Sequence, residues 1–170
     1  MESSNRRLLT AAGLIVLFDQ ATKWLVEQYL PMMREYVVFD GFFKLVHWGN
    51  TGAAWSLFRE QNNVLAVVSF LALLVLFFGR RHFDSGTRVG QISLGLLAGG
   101  ILGNLIDRVH QDRQHVIDFL RFYVNQRGGS EIGFPAFNVA DSAICIGVAL
   151  LFFLSWKQGP GMNPAVDDPA

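Results

Sequence analysis

The sequence predicts a membrane all-α core with a small β element, and three observations carry that expectation. Four apolar stretches, at about residues 8–26, 64–78, 89–106 and 136–156, are separated by polar segments. Apolar residues make up 51% of the chain and charged ones 16%, well away from the balance of a soluble domain. Between the first two stretches, two β-branched and aromatic runs flank Asp40-Gly41, a strong short-range hairpin signal.

A helix that crosses a bilayer needs roughly 20 mostly apolar residues. The first stretch opens on Arg6-Arg7 and Leu8-Leu9, which imitates a signal peptide. Asp19, Gln20 and Lys23 stand where a small-residue cleavage site should be, so the expectation is an uncleaved transmembrane helix. The hairpin follows, as residues 36–39 and 42–47, broken at Trp48-Gly49-Asn50-Thr51-Gly52. Residues 53–58, with Trp55 and Phe58, read as a short interfacial helix that could act as a lid. The second stretch is short and either borrows Asn62 and Asn63 or tilts little. In the third, Gly95, Gly99 and Gly103 recur four apart, and the fourth answers with Ala136, Ala140, Ala143 and Gly147. Small residues at that spacing let membrane helices approach closely. Pro135 suits the first turn of the fourth helix. The lone Cys145 lies inside that helix, so no internal disulfide forms and its expected role is packing. Residues 1–157 thus read as one polytopic domain, and 158–170, rich in Gly, Pro and Asp, as a disordered tail.

Arg6 and Arg7, the group Arg80, Arg81 and Arg88, and Lys157 all fall on one side of the four spans. By the positive-inside rule that side is cytoplasmic, with both termini inside and the hairpin on the outer face. Net charge is zero, which gives no electrostatic case for nucleic acid.

The polar residues inside the spans are the functional clue. Asp19 and Lys23 come late in the first span, and Asn104, Asp107 and Arg108 close the third. Asn138 and Asp141 come early in the fourth, with Asp141 about one and a half turns in. At about 1.5 Å of rise per residue and alternating direction, all of these share the outer third of the bilayer. An ionisable group in hydrocarbon is costly, so such a cluster is a functional-site hypothesis by default.

Asp118, in the apolar surround of His115-Val116-Ile117-Asp118-Phe119, belongs at the outer end of the third span or just beyond. Two carboxyls close together in low dielectric share one proton, so Asp118 and Asp141 could activate water and donate to a carbonyl. The alternative is that Asp141 only caps or bridges helices. Asn104, Asp107 and Arg108 share one helical face, from which Asn104 could reach a substrate backbone. Asn138 could orient Asp141. Asp19 and Lys23 form an i,i+4 pair read as structural, with Lys23 snorkelling outward. His47, His110 and His115 are scattered, so no metal site is expected, and no Ser or Cys nucleophile motif is present. A proton-coupled transporter or a helix-gluing assembly protein could use the same carboxylates.

Five motifs then occur in order: Asp19-Gln20-Ala21-Thr22-Lys23, Asn50-Thr51-Gly52-Ala53-Ala54, Gly103-Asn104-Leu105-Ile106-Asp107-Arg108, Val116-Ile117-Asp118-Phe119 and Phe137-Asn138-Val139-Ala140-Asp141-Ser142. Together they resemble the bacterial lipoprotein signal peptidases, or signal peptidase II, over about residues 8–156. The resemblance implies an aspartic endopeptidase of the bacterial cytoplasmic (inner) membrane, facing the periplasm and needing no cofactor. Its substrates would be diacylglyceryl-modified prolipoproteins, cut before the lipidated cysteine, with membrane lipid as surround and cyclic peptides such as globomycin as inhibitors. It matches Asp118 and Asp141 to the catalytic dyad. Asp19, Lys23, Asn50, Gly52, Asn104, Arg108 and Asn138 match supporting positions. One departure is Trp55, where the family more often has Phe.

Overall fold

A computed structural model describes residues 2–52, 60–80 and 87–158. Its elements, in chain order, are α1 (Glu2–Tyr29), β1 (Glu35–Phe39), β2 (Phe43–Asn50), α2 (Asn62–Gly79), α3 (Arg88–Val109), β3 (Val116–Asn125), β4 (Glu131–Gly133) and α4 (Val139–Gln158). Four helices are long and apolar enough to cross a membrane, over Asn5–Tyr29, Asn62–Gly79, Arg88–Val109 and Val139–Trp156. The interfacial helix expected at 53–58, with Trp55 and Phe58, and the tail from 159 lie outside the described residues.

The helix α3 is the hub, packing on each of the other three. Its glycine stripe, however, faces α1 rather than α4. A Cβ added at Gly95 would lie 2.7 Å from both the Leu8 carbonyl and Ala11 Cβ, and one at Gly99 the same distance from the Ala12 carbonyl. The close approach of α4 depends instead on Gly100, whose Cβ would strike the Ala140 carbonyl, and on Gly147 against the Ser93 carbonyl. Both stripes were visible as spacing, but spacing cannot say which neighbour a stripe meets. Cys145 is exposed on α4, not packed inside.

The hairpin is one half of a four-stranded antiparallel sheet, ordered β1-β2-β3-β4. Gly41 adopts φ 70° in its turn, a conformation that favours glycine. Trp48-Gly49-Asn50 does not break β2, because β3 supplies partners that sequence patterning could not foresee. Trp48 pairs with Asp118, Gly49 with Ile117 and Asn50 with Val116, after a register shift between Leu45 and Trp48. Buried Lys44 clasps the sheet, donating at 2.6 Å to Glu35 beside β2 and at 2.6 Å to Glu131 on β4. Burial opposes its charge, but those two carboxylates outweigh it and hold the Lys44 ammonium above its ordinary pKa.

The register has one consequence for chemistry: Asp118 sits on a strand, beyond the end of α3. Pro135 does not start the fourth helix either. Residues 134–138 are not helical, and Phe137 pairs backbone to backbone with Leu120 of β3. The helix α4 begins at Val139, so Asp141 lies in its first turn.

Candidate active site

The start of α4 is a reciprocal cap. Asn138 Oδ1 accepts the Asp141 backbone N–H at 2.9 Å, and Asp141 Oδ2 accepts the Asn138 backbone N–H at 3.2 Å. That is the capping-box pattern, with Asn and Asp as its ends. The structural alternative for Asp141 is therefore real, but it uses only one carboxylate oxygen. The other, Oδ1, accepts Asn104 Nδ2 at 2.7 Å.

Asp118 reaches the same place from β3. Its Oδ1 accepts Asn138 Nδ2 and its Oδ2 accepts Asn50 Nδ2, both at 2.9 Å. Asn138, fully buried, thus bonds both carboxylates, one through its side chain and one through its backbone. Burial, followed by the adjacent charge of Asp141, pushes the Asp118 carboxyl up to about 7 from 3.8. The hydrogen bonds from Asn50 and Asn138 and the charge of Lys23 oppose that rise without cancelling it.

A second polar layer lies beneath. Lys23 does not snorkel: it is fully buried, with Nζ 2.8 Å from Asp19, 2.7 Å from Asp107 and 3.0 Å from Asn104 Oδ1. The reason is that α3 brings a second carboxylate and an amide to α1, a better-paired berth than the interface offers. Asn104 is turned inward to Lys23, Asn138 and Asp141, which uses its carbonyl oxygen twice. Asp107 also takes Gln20 at 3.0 Å and Arg113 at 2.9 Å. Among the described residues, no buried side-chain nitrogen or oxygen lacks a partner, and no His, Cys, Asp and Glu side chains gather in a metal-binding group.

Arg108 completes the frame. Its NH2 donates to the Gly52 carbonyl at 2.8 Å and its NH1 to Asn62 Oδ1 at 3.1 Å. The Gly52 N–H in turn donates to Asn50 Oδ1 at 2.9 Å. All nine matched residues other than the undescribed lid thus converge, from α1, α3, β3, the end of β2 with Gly52 just after it, and the start of α4 with Asn138 just before it. Sequence reasoning missed Gln20, Asn62 and Arg113. A polar residue heading an apolar span was the available signal for Asn62; for Arg113, in a loop, there was none.

A family model described as signal peptidase (SPase) II matches residues 11–157. The chain belongs to the signal peptidase II family. It is 38% identical over 144 residues to a lipoprotein signal peptidase of Symbiobacterium thermophilum, covering 85% of this chain and 90% of that one. To the lipoprotein signal peptidase of Bacillus subtilis it is 34% identical over 141 residues, covering 83% and 87%. Its fold resembles a bacterial membrane enzyme structure determined at 2.3 Å by the in meso method, with TM-score 0.75, 27% identity and coverage of 96% and 94%. A second such enzyme, at 1.9 Å, gives TM-score 0.70 at 29% identity, covering 88% and 92%. As a signal peptidase II with four spanning-capable helices, the chain is a multi-pass membrane peptidase. Neither similarity supports the transporter alternative.

Proposed function

We propose that this signal peptidase II removes signal peptides from diacylglyceryl-modified prolipoproteins, cutting before the lipidated cysteine, with Asp118 and Asp141 as an aspartic dyad. The observation that carries the reading is Asn138 bonding both carboxylates where α4 begins and β3 passes. Two acids framed by neutral amides and packed together share one proton, and the pair titrates as a unit. The ionised member takes a proton from the attacking water. The protonated member donates to the scissile carbonyl oxygen, giving a diol. The member that took the proton from water then passes it to the leaving amine as the C–N bond breaks, and the diol returns its proton to the first member. Atoms balance without metal or covalent intermediate.

In this reading the chain lies in the bacterial inner membrane, both termini cytoplasmic, with the dyad at the periplasmic edge. A substrate anchored by acyl chains and an apolar signal segment arrives within the bilayer, which accounts for a site at helix ends. β1 is an edge strand whose outer side has no partner among the described residues, so an extended substrate segment could add to it by backbone pairing. Trp55 and Phe58 are proposed to cover the bound substrate, and globomycin-type cyclic peptides to compete for the site.

The test is cleavage of a diacylglyceryl-modified prolipoprotein by purified protein in bilayer nanodiscs, beside the unlipidated form. Cleavage of the lipidated form alone supports the reading. Equal cleavage of both removes lipid recognition from it, and cleavage of neither by a folded sample removes the peptidase assignment.

A further inference from the structure

Among the polar groups near the dyad, one lies on a helix that contributes nothing else to the site. Asn62 opens α2 and is 9% exposed, although the rest of that helix is almost wholly apolar. Its amide is matched to one residue at both ends: Oδ1 accepts Arg108 NH1 at 3.1 Å, and Nδ2 donates to the Arg108 carbonyl at 2.9 Å. Arg108 therefore has one guanidinium nitrogen fixed by Asn62 while the other holds the Gly52 carbonyl.

From Gly52 the path reaches the dyad in two hydrogen bonds. The Gly52 N–H fixes the Asn50 side-chain oxygen, which leaves the Asn50 nitrogen aimed at Asp118 Oδ2. Beside it, the Glu60 N–H donates to Thr51 Oγ1 at 3.3 Å. Without Asn62, the guanidinium keeps its charge but loses the contact that sets its rotation. The Gly52 carbonyl then no longer meets a fixed donor.

We propose that Asn62 is a positioning residue for the dyad, acting through Arg108, Gly52 and Asn50 on the hydrogen bond that Asp118 receives. The proposal rests on the aspartic-dyad reading for its effect on turnover, but its geometric content does not. The charged groups that act on Asp118 are Asp141 from α4, Lys23 from α1 and Arg108 from α3, and Asn62 adds no charge to them. Its removal therefore acts on Asp118 only by loosening Arg108 and Asn50, and both losses favour the protonated carboxyl.

The experiment titrates Asp118 directly, by carbon-13 NMR of aspartate-labelled protein in nanodiscs, with the resonance assigned by its loss in Asp118→Asn. Asn62→Leu keeps the branched shape and removes both hydrogen bonds; the expected result is an Asp118 midpoint higher by at least about 0.5 pH unit. On the lipidated substrate kcat should fall about tenfold with KM within about twofold, as for a loss felt in the transition state. Asn62→Gln, which keeps the amide, should recover part of both effects, and Asn63→Leu on the exposed side should show neither. Should Asn62→Leu not fold, Asn62→Ser is read in the same way. An unchanged Asp118 midpoint overturns the proposal whatever happens to thermal stability or rate. Failure of the unaltered protein to cut, with the midpoint still moving, instead overturns the peptidase reading and leaves the positioning chain intact.

Discussion

Asp19, in the second half of α1, accepts the backbone N–H of Ala140, in the first turn of α4, at 2.9 Å. A carboxylate from one helix thus satisfies an amide that the next helix cannot pair for itself. Its other oxygen holds Lys23, and Lys23 holds Asn104, which donates to Asp141. The helix that carries Asp141, one member of the proposed dyad, is set in depth and rotation by α1 and α3 together.

Lys23→Met should therefore weaken the fold as well as the site. Asp19 and Asp107 would remain buried with their shared cation gone, and breaking a buried pair from one side costs about 3–5 kcal/mol. Thermal unfolding in detergent should show a clearly lower midpoint, and an unchanged midpoint would mean that the pair contributes nothing net.

Asp118→Asn and Asp141→Asn should each leave a folded protein with cleavage reduced by at least about 10³-fold, near the upper range for removing an acid–base group. Single-turnover assays on lipidated substrate provide the check. Substantial activity in either variant removes that residue from the dyad.

The raised Asp118 value has two pH consequences. Activity should decline as pH rises through about 7, where Asp118 loses the proton that the proposed dyad needs. For stability, the folded state holds this proton more tightly than the unfolded one. The contribution is thus most favourable below about 4 and erodes between about 4 and 7, to a cost of about 4 kcal/mol above that window. Asp118→Asn should accordingly unfold at a higher temperature than the parent at pH 8, with the gap closing toward pH 4. The opposite ordering would show that Asp118 is stabilising when ionised.

Gly100→Ala should lose most activity, because its methyl group would meet the Ala140 carbonyl one residue before Asp141. Gly13→Ala, where nothing lies within 4 Å, should be neutral or slightly stabilising. Comparing the two by cleavage rate and by unfolding separates close packing from helix propensity. A fully active Gly100→Ala enzyme would mean that α4 can shift without moving its carboxylate.

Much of the site was legible because its residues are costly where they stand. Asp19, Lys23, Asn104, Asp107, Arg108, Asn138 and Asp141 interrupt apolar runs, and a polar group in such a run calls for a partner. Asp118 was harder to place: a strand of ten residues after α3 looks, in one dimension, like a loop. Its pairing with Trp48 across 70 residues of sequence depends on a register shift that no local pattern announces.

Apolar length and periodicity determined the four helices, and β-branched runs about Asp40-Gly41 determined the hairpin, since both follow from local burial and turn chemistry. The tertiary structure alone decided who meets whom. It turned the Gly95–Gly99 stripe to α1 and gave Gly100 to α4, buried Lys23 between two carboxylates, and made Asn138 bond Asp118 and Asp141 together. Those choices depend on the mutual rotation of helices and the register of strands, which are set by the sum of many contacts rather than by any one residue's preference.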